Sequence, residues 1–139
     1  MKKHIAKAVW NGSIKEGSGK LTTKSKVLDN SLYSFKTRFE DAKGTNPDEL
    51  IAASHAGCFA MAFSLFLGQN GYTPDSIDVA AEITMNPEKI ELVSSHLILN
   101  ATIPNISKDE FLKIATIAKD NCPISKALSI PITLDANLN

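Results

Sequence analysis

From Leu50 to Leu67 the chain carries no charged side chain, and a clear helix start stands directly before that run. Asn46 can cap, Pro47 suits the first helical position, and Asp48 and Glu49 place negative charge at the positive end of the helix dipole. The spacing predicts one long helix to about Leu67, stopped by Gly68 or Gly71. It is apolar on nearly every side, whereas a helix lying on one sheet needs only one apolar stripe. A chain of 139 residues has length for one core and not for two domains, so we take residues 1–139 as a single domain. Such a chain can hardly enclose this helix alone. We therefore expect a homodimer in which two of these helices pack together and sheets cover the outside. The run approaches the lower length limit of a membrane span. Ser54, His55, Gly57 and Ser64 interrupt it, alanine dominates it, and no basic flank anchors it, so a core helix is expected and no membrane partner.

Around this helix the patterning alternates between strand and helix signals. His4 to Trp10, Gly19 to Thr23 and Tyr33 to Glu40 read as strands, with Asn11-Gly12 as turn chemistry and Gly17-Ser18-Gly19 as a bend. Beyond the helix, Ser76 to Met85 and Ile90 to Ile103 read as two more strands joined at Asn86-Pro87. Ser107-Lys108-Asp109-Glu110 has capping-box form and opens a second helix to about Asp120. Pro123 can open a short further helix with Cys122 near its cap, and Ile130 to Asp135 closes the chain as a strand. The predicted class is α+β, with largely antiparallel sheets, a long central helix and the order βββαββαβ.

Fifteen basic and fifteen acidic residues leave no net charge, which removes any electrostatic case for nucleic acid or an anionic membrane. The N-terminus has no long apolar run or cleavage site of a signal peptide, so a cytoplasmic protein is expected, with its thiols reduced at rest. There are two thiols, Cys58 inside the long helix and Cys122 beside Pro123. Inert packing, metal ligation and redox chemistry are all open to a pair of cytosolic cysteines. No Cys-x-x-Cys or His-x-x-x-His spacing supports a metal, and none is expected. Cys58 reads as buried in its helix and Cys122 as mobile at a junction, an asymmetry that suits a redox pair.

Cys58 lies too far into its helix to use the N-terminal dipole, so a thiolate there needs another positive group. Arg38, the only arginine, offers a permanent charge and a planar fork; an ion pair with Glu40 along a strand is the plainer reading. Glu49 has the spacing to complete a capping box with Asn46. Nine residues separate Glu49 from Cys58, about 13.5 Å along the helix axis and about 180° around it, so within one chain they cannot meet. If Glu49 belongs to a site with Cys58, it comes from a partner subunit. His55, one turn before Cys58, can orient or deprotonate the thiol, or simply pack. Phe59, Met61, Phe63 and Phe66 read as core.

Thr37-Arg38-Phe39-Glu40, followed by the stretch from Lys43 to Ala62, and the later Asn121-Cys122-Pro123-Ile124-Ser125-Lys126-Ala127-Leu128 resemble the osmotically inducible protein C family of peroxidases. The likeness runs nearly end to end, and two cysteine motifs at matching separation make it specific. It implies an intertwined homodimer with sites at the subunit interface and thiol peroxidase activity on organic hydroperoxides, more weakly on hydrogen peroxide, in oxidative or osmotic stress. Cys58 matches the peroxidatic cysteine, Cys122 the resolving one, and Arg38 and Glu49 the charged pair that holds the thiolate. The resemblance further implies no cofactor and a dithiol reductant on a lipoylated protein. The related organic hydroperoxide resistance branch carries its arginine nearer the N-terminus, so Arg38 places the chain with the osmotically inducible branch. A thiol redox sensor and a carrier of apolar ligands are the rival functions.

Overall fold

Alternating residues near the N-terminus build β1 (Ala6–Asn11) and β2 (Ser18–Thr23), which pair antiparallel in the computed structural model, a description of residues Met1–Asn139. A short β3 (Ser31–Tyr33) completes this sheet in the order β1-β2-β3. Gly19 sits in register between Trp10 and Tyr33, whose rings meet edge to face at 5.6 Å. A Cβ on Gly19 would come within 2.3 Å of the Tyr33 ring, so only glycine lets the two aromatics close over the middle strand.

The strand expected over Tyr33–Glu40 ends instead at Tyr33, and Phe35–Phe39 forms a one-turn helix, α1. The cause is a local hydroxyl exchange. Thr37 N–H donates to Ser34 Oγ at 3.2 Å, and Ser34 N–H donates to Thr37 Oγ1 at 2.8 Å. This reciprocal cap satisfies donors that a strand would have left to a neighbour. Arg38 therefore projects from a helix, and its strand pairing with Glu40 does not form.

The chain is organised as two compact units, Met1–Leu50 and Ile51–Asn139. The long helix α2 (Pro47–Gln69) gives its first turn to the former and the rest to the latter. Asn46 caps it as expected: its Oδ1 accepts from Glu49 N–H at 2.8 Å.

In the second unit, β4 (Ser76–Asn86) and β5 (Glu91–Thr102) pair antiparallel, and β6 (Ile132–Leu138) lies parallel to β5. That last pairing departs from the antiparallel trend because α3 (Lys108–Asn121) and α4 (Pro123–Ala127) intervene and carry the chain back to the same end of the sheet. On the outer face the parallel pair is tied by His96, whose ring nitrogens lie 2.6 Å from Thr133 Oγ1 and 3.2 Å from Asp135 Oδ2. On the inner face, Leu97, Leu99 and Ala101 of β5 pack with Phe111, Ile114, Ala115 and Ala118 of α3.

The α2 contribution to this core is a straight stripe: His55, Phe59, Phe63 and Leu67, each 0% exposed. Phe63 stacks on Phe59 at 6.1 Å and meets Phe111 edge to face at 5.8 Å. By length and composition α2 could cross a membrane. With one whole side in the core of the second unit, it is a core helix. Met61, expected as core, is 77% exposed on its other side.

Candidate active site

Cys122 ends α3 and precedes α4. The residue before a proline is steered out of helical geometry, and Cys122 has φ −58° and ψ 128°. Its N–H still donates to Ala118 O at 2.9 Å, so the break falls at the thiol itself. The side chain points inward. Cys122 is 0% exposed and its Sγ lies 2.8 Å from Cys58 Sγ. Both cysteines are free.

Cys58, expected to be buried, is the partly exposed thiol, and Cys122 at the junction is wholly buried. The proline breaks the helix at Cys122, and the thiol there is turned inward onto Cys58. Burial pushes the Cys58 thiol above its ordinary pKa of 9.0, and the hydrogen bond with the Cys122 thiol adds to this. The backbone N–H of Ile124, in the first turn of α4, acts the other way but does not reverse it.

His55 makes no hydrogen bond to Cys58. Its Nδ1 lies 2.7 Å from Ser95 Oγ and its Nε2 2.8 Å from Ser125 Oγ, so the packed reading holds and both ring nitrogens are occupied. Burial lowers its pKa from 6.5, favouring the neutral ring. Ser95 and Ser125 are polar residues of this region that the sequence did not flag. Each falls on a strand or helix whose inward face only the fold defines.

In the first unit, Arg38 is held in a two-pronged ion pair by Asp48, with Nε–Oδ2 3.2 Å and Nη2–Oδ1 3.0 Å. Its guanidinium carbon lies 5.7 Å from the Phe39 ring centre. Trp10, Tyr33, Phe35, Phe39 and Pro47 line an apolar cleft of about 80 Å³ beside it. Glu49 of the same chain does not reach Arg38. Its Oε2 accepts from Thr45 Oγ1 at 2.8 Å and its N–H is used by the Asn46 cap. Neighbouring positions on a helix point about 100° apart, so only one of Asp48 and Glu49 can face α1. Capping spacing engages position 49, and Asp48 is the one of the two that pairs with Arg38 in the same chain.

A pair of free thiols in contact, set between a core helix and a proline-broken turn on an α+β scaffold, defines a thiol-redox class of protein. The chain belongs to the OsmC-like protein family, whose model matches residues 40–137. It is 44% identical over 133 residues to peroxiredoxin OsmC of Escherichia coli (strain K12), covering 94% of this chain and 93% of that one. It is 34% identical over 123 residues to an organic hydroperoxide resistance protein-like protein of Staphylococcus aureus (strain MSSA476), covering 87% and 86%. The fold superposes on the crystal structure of an organic hydroperoxide resistance protein from Elizabethkingia anophelis with TM-score 0.74 at 21% identity, over 99% of each chain.

Proposed function

We propose that the protein is a cysteine-based peroxidase that reduces organic hydroperoxides in hydroperoxide stress, with Cys58 as the attacking thiolate and Cys122 as the resolving thiol. The observation that carries this reading is the 2.8 Å approach of two free sulfurs from α2 and the α3–α4 junction. A disulfide needs about 2.05 Å, so closure requires a movement of under about 1 Å. The name of the Escherichia coli relative, a peroxiredoxin, supports the reaction, and that of the Staphylococcus aureus relative, an organic hydroperoxide resistance protein-like protein, supports the substrate class.

In the first step the Cys58 thiolate attacks the outer oxygen of the hydroperoxide. The O–O bond breaks, the alkoxide takes a proton and leaves as an alcohol, and Cys58 becomes a sulfenic acid. In the second, Cys122 sulfur attacks the sulfenic sulfur, water leaves with the Cys122 proton, and the disulfide forms. A dithiol, which we take to be a lipoyl group on a partner protein, reopens it by exchange. No cofactor takes part.

Burial, with the Cys122 contact, pushes the Cys58 thiol toward its protonated form, and a nearby cation would oppose that. We assign that role to Arg38, which would also stabilise the developing alkoxide. Asp48, already paired with it, is the carboxylate that aims the fork. Glu49 supports the same turn through Thr45 and the cap, and acts on a thiolate only if it does so across a subunit boundary.

We further propose a homodimer of single-domain subunits in the cytoplasm. Along α2 the exposed stripe is Ser54, Gly57, Met61, Ser64 and Gly68, at alternating spacings of three and four residues and without a charge. That pattern suits close packing against a second helix.

Sustained consumption of cumene hydroperoxide with dihydrolipoamide, abolished in Cys58→Ser, tests the function. Wild-type protein that oxidises once and does not turn over would favour a sensor instead.

A further inference from the structure

Two residues three apart on α2 face two residues three apart at the start of α4, in opposite order. Cys58 meets Cys122 at 2.8 Å, and His55 meets Ser125 at 2.8 Å. The second contact shares its imidazole with β5, where Ser95 Oγ lies 2.7 Å from Nδ1. Ser95 also donates its N–H to Pro131 O at 3.0 Å, on the segment that leaves α4. The turn bearing Cys122 is thereby tied to the same serine–histidine–serine chain on both sides.

This chain is buried throughout: His55 and Ser95 are 0% exposed and Ser125 is 8%. A neutral imidazole has one donor and one acceptor, and a serine hydroxyl can serve either, so the chain closes in both tautomers. No buried polar side-chain atom is left without a partner. The turn needs such a tie. α4 has five residues, Cys122 makes no side-chain cap bond to it, and Pro123 withholds an N–H. A single helical turn is not stable by itself.

We propose that His55 is a positioning residue that, through Ser125, holds the Cys122 thiol against Cys58 and sets the rate at which the Cys58 sulfenic acid is captured. The inference rests on the peroxidase reading above. His55 takes no part in the attack on the hydroperoxide and moves no proton in either step. Because closure needs a sulfur movement of under about 1 Å, the His55–Ser125 bond persists in the disulfide form.

The experiment is rapid mixing of reduced wild type, Ser125→Ala and Ser125→Thr with one equivalent of cumene hydroperoxide, quenched with a thiol alkylator and read by intact mass. Two rate constants follow: loss of the Cys58 thiol and appearance of the disulfide. In Ser125→Ala the ratio of the second to the first falls at least tenfold, sulfenic acid accumulates, and excess hydroperoxide drives it to sulfinic acid. Ser125→Thr, which keeps the hydroxyl, restores the ratio. An unchanged ratio in Ser125→Ala, or equal slowing of both steps, overturns the inference and leaves the peroxidase reading standing. A wild type that forms no disulfide overturns both. Should Ser125→Ala fail to fold, the wild type carries the test by NMR. The His55 ring is expected neutral, with a slowly exchanging N–H in both the dithiol and disulfide forms. A ring N–H that exchanges freely in either form refutes the clamp.

Discussion

Replacing Asp48 by asparagine keeps the side-chain shape and removes the charge that holds Arg38. The wild-type pair has two short charge-assisted contacts, at 3.0 and 3.2 Å. Hydrogen bonds to charged groups contribute about 1.5–3 kcal/mol. The Arg38 side chain is 31% exposed and that of Asp48 13%, so solvent weakens the pair and the lower part of that range applies. A loss of about 1.5–2 kcal/mol in the placement of the guanidinium corresponds to about a 10- to 30-fold fall in kcat/KM. Glu49→Gln loses only the charge on a contact to Thr45 Oγ1 and keeps the cap, so a change of under about threefold is expected. Both variants are assayed by stopped-flow reduction of cumene hydroperoxide under dithiol, with Arg38→Lys as reference. Lysine keeps a charge without the fork and should fall with Asp48→Asn. If Glu49→Gln is the more damaged enzyme and Asp48→Asn is near wild type, the assignment of the aiming carboxylate is wrong.

Three further outcomes are expected. Phe63→Ala removes a fully buried ring that packs against Phe59 and Phe111, and should lower unfolding free energy by about 3–5 kcal/mol in urea titration. His55 is held neutral, its folded-state pKa lying below the ordinary 6.5; its contribution to stability is complete above pH 6.5 and is lost as pH falls through the folded value. Denaturation at pH 7.5 and at pH 5 should therefore show a pH slope that is reduced in His55→Gln, and an identical slope in the variant refutes the assignment. Met61→Lys, on the exposed uncharged stripe of α2, should shift the protein from dimer to monomer in sedimentation at micromolar concentration, whereas a wild type that sediments as a monomer removes the basis for the dimer.

The helix from Asn46 onward was legible because cap, proline and acidic first turn all agree, and the family followed from two cysteine motifs at fixed separation. Other features depend on contacts that no local pattern carries. Ser34 and Thr37 could be read as strand residues until their hydroxyls are seen to close a cap, and this displaced Arg38 from the expected strand. Asp48 and Glu49 are alike in type and differ only in the angle at which the helix presents them. The proline beside Cys122 marks a helix break in the sequence, but only the fold shows that the thiol there is buried against Cys58. Ser95 and Ser125 converge on His55 from 40 and 70 residues away, a distance in sequence that periodicity does not bridge.

The central claim is that a hydroperoxide converts Cys58 and Cys122 into one disulfide through a sulfenic acid on Cys58. It is tested most directly by a denaturing thiol count and intact mass after one equivalent of cumene hydroperoxide, on wild type and Cys122→Ser. Loss of both thiols with a single intrachain disulfide in the wild type, and a trapped sulfenic acid on Cys58 in the variant, is the predicted result. Two thiols surviving unchanged in the wild type would contradict it.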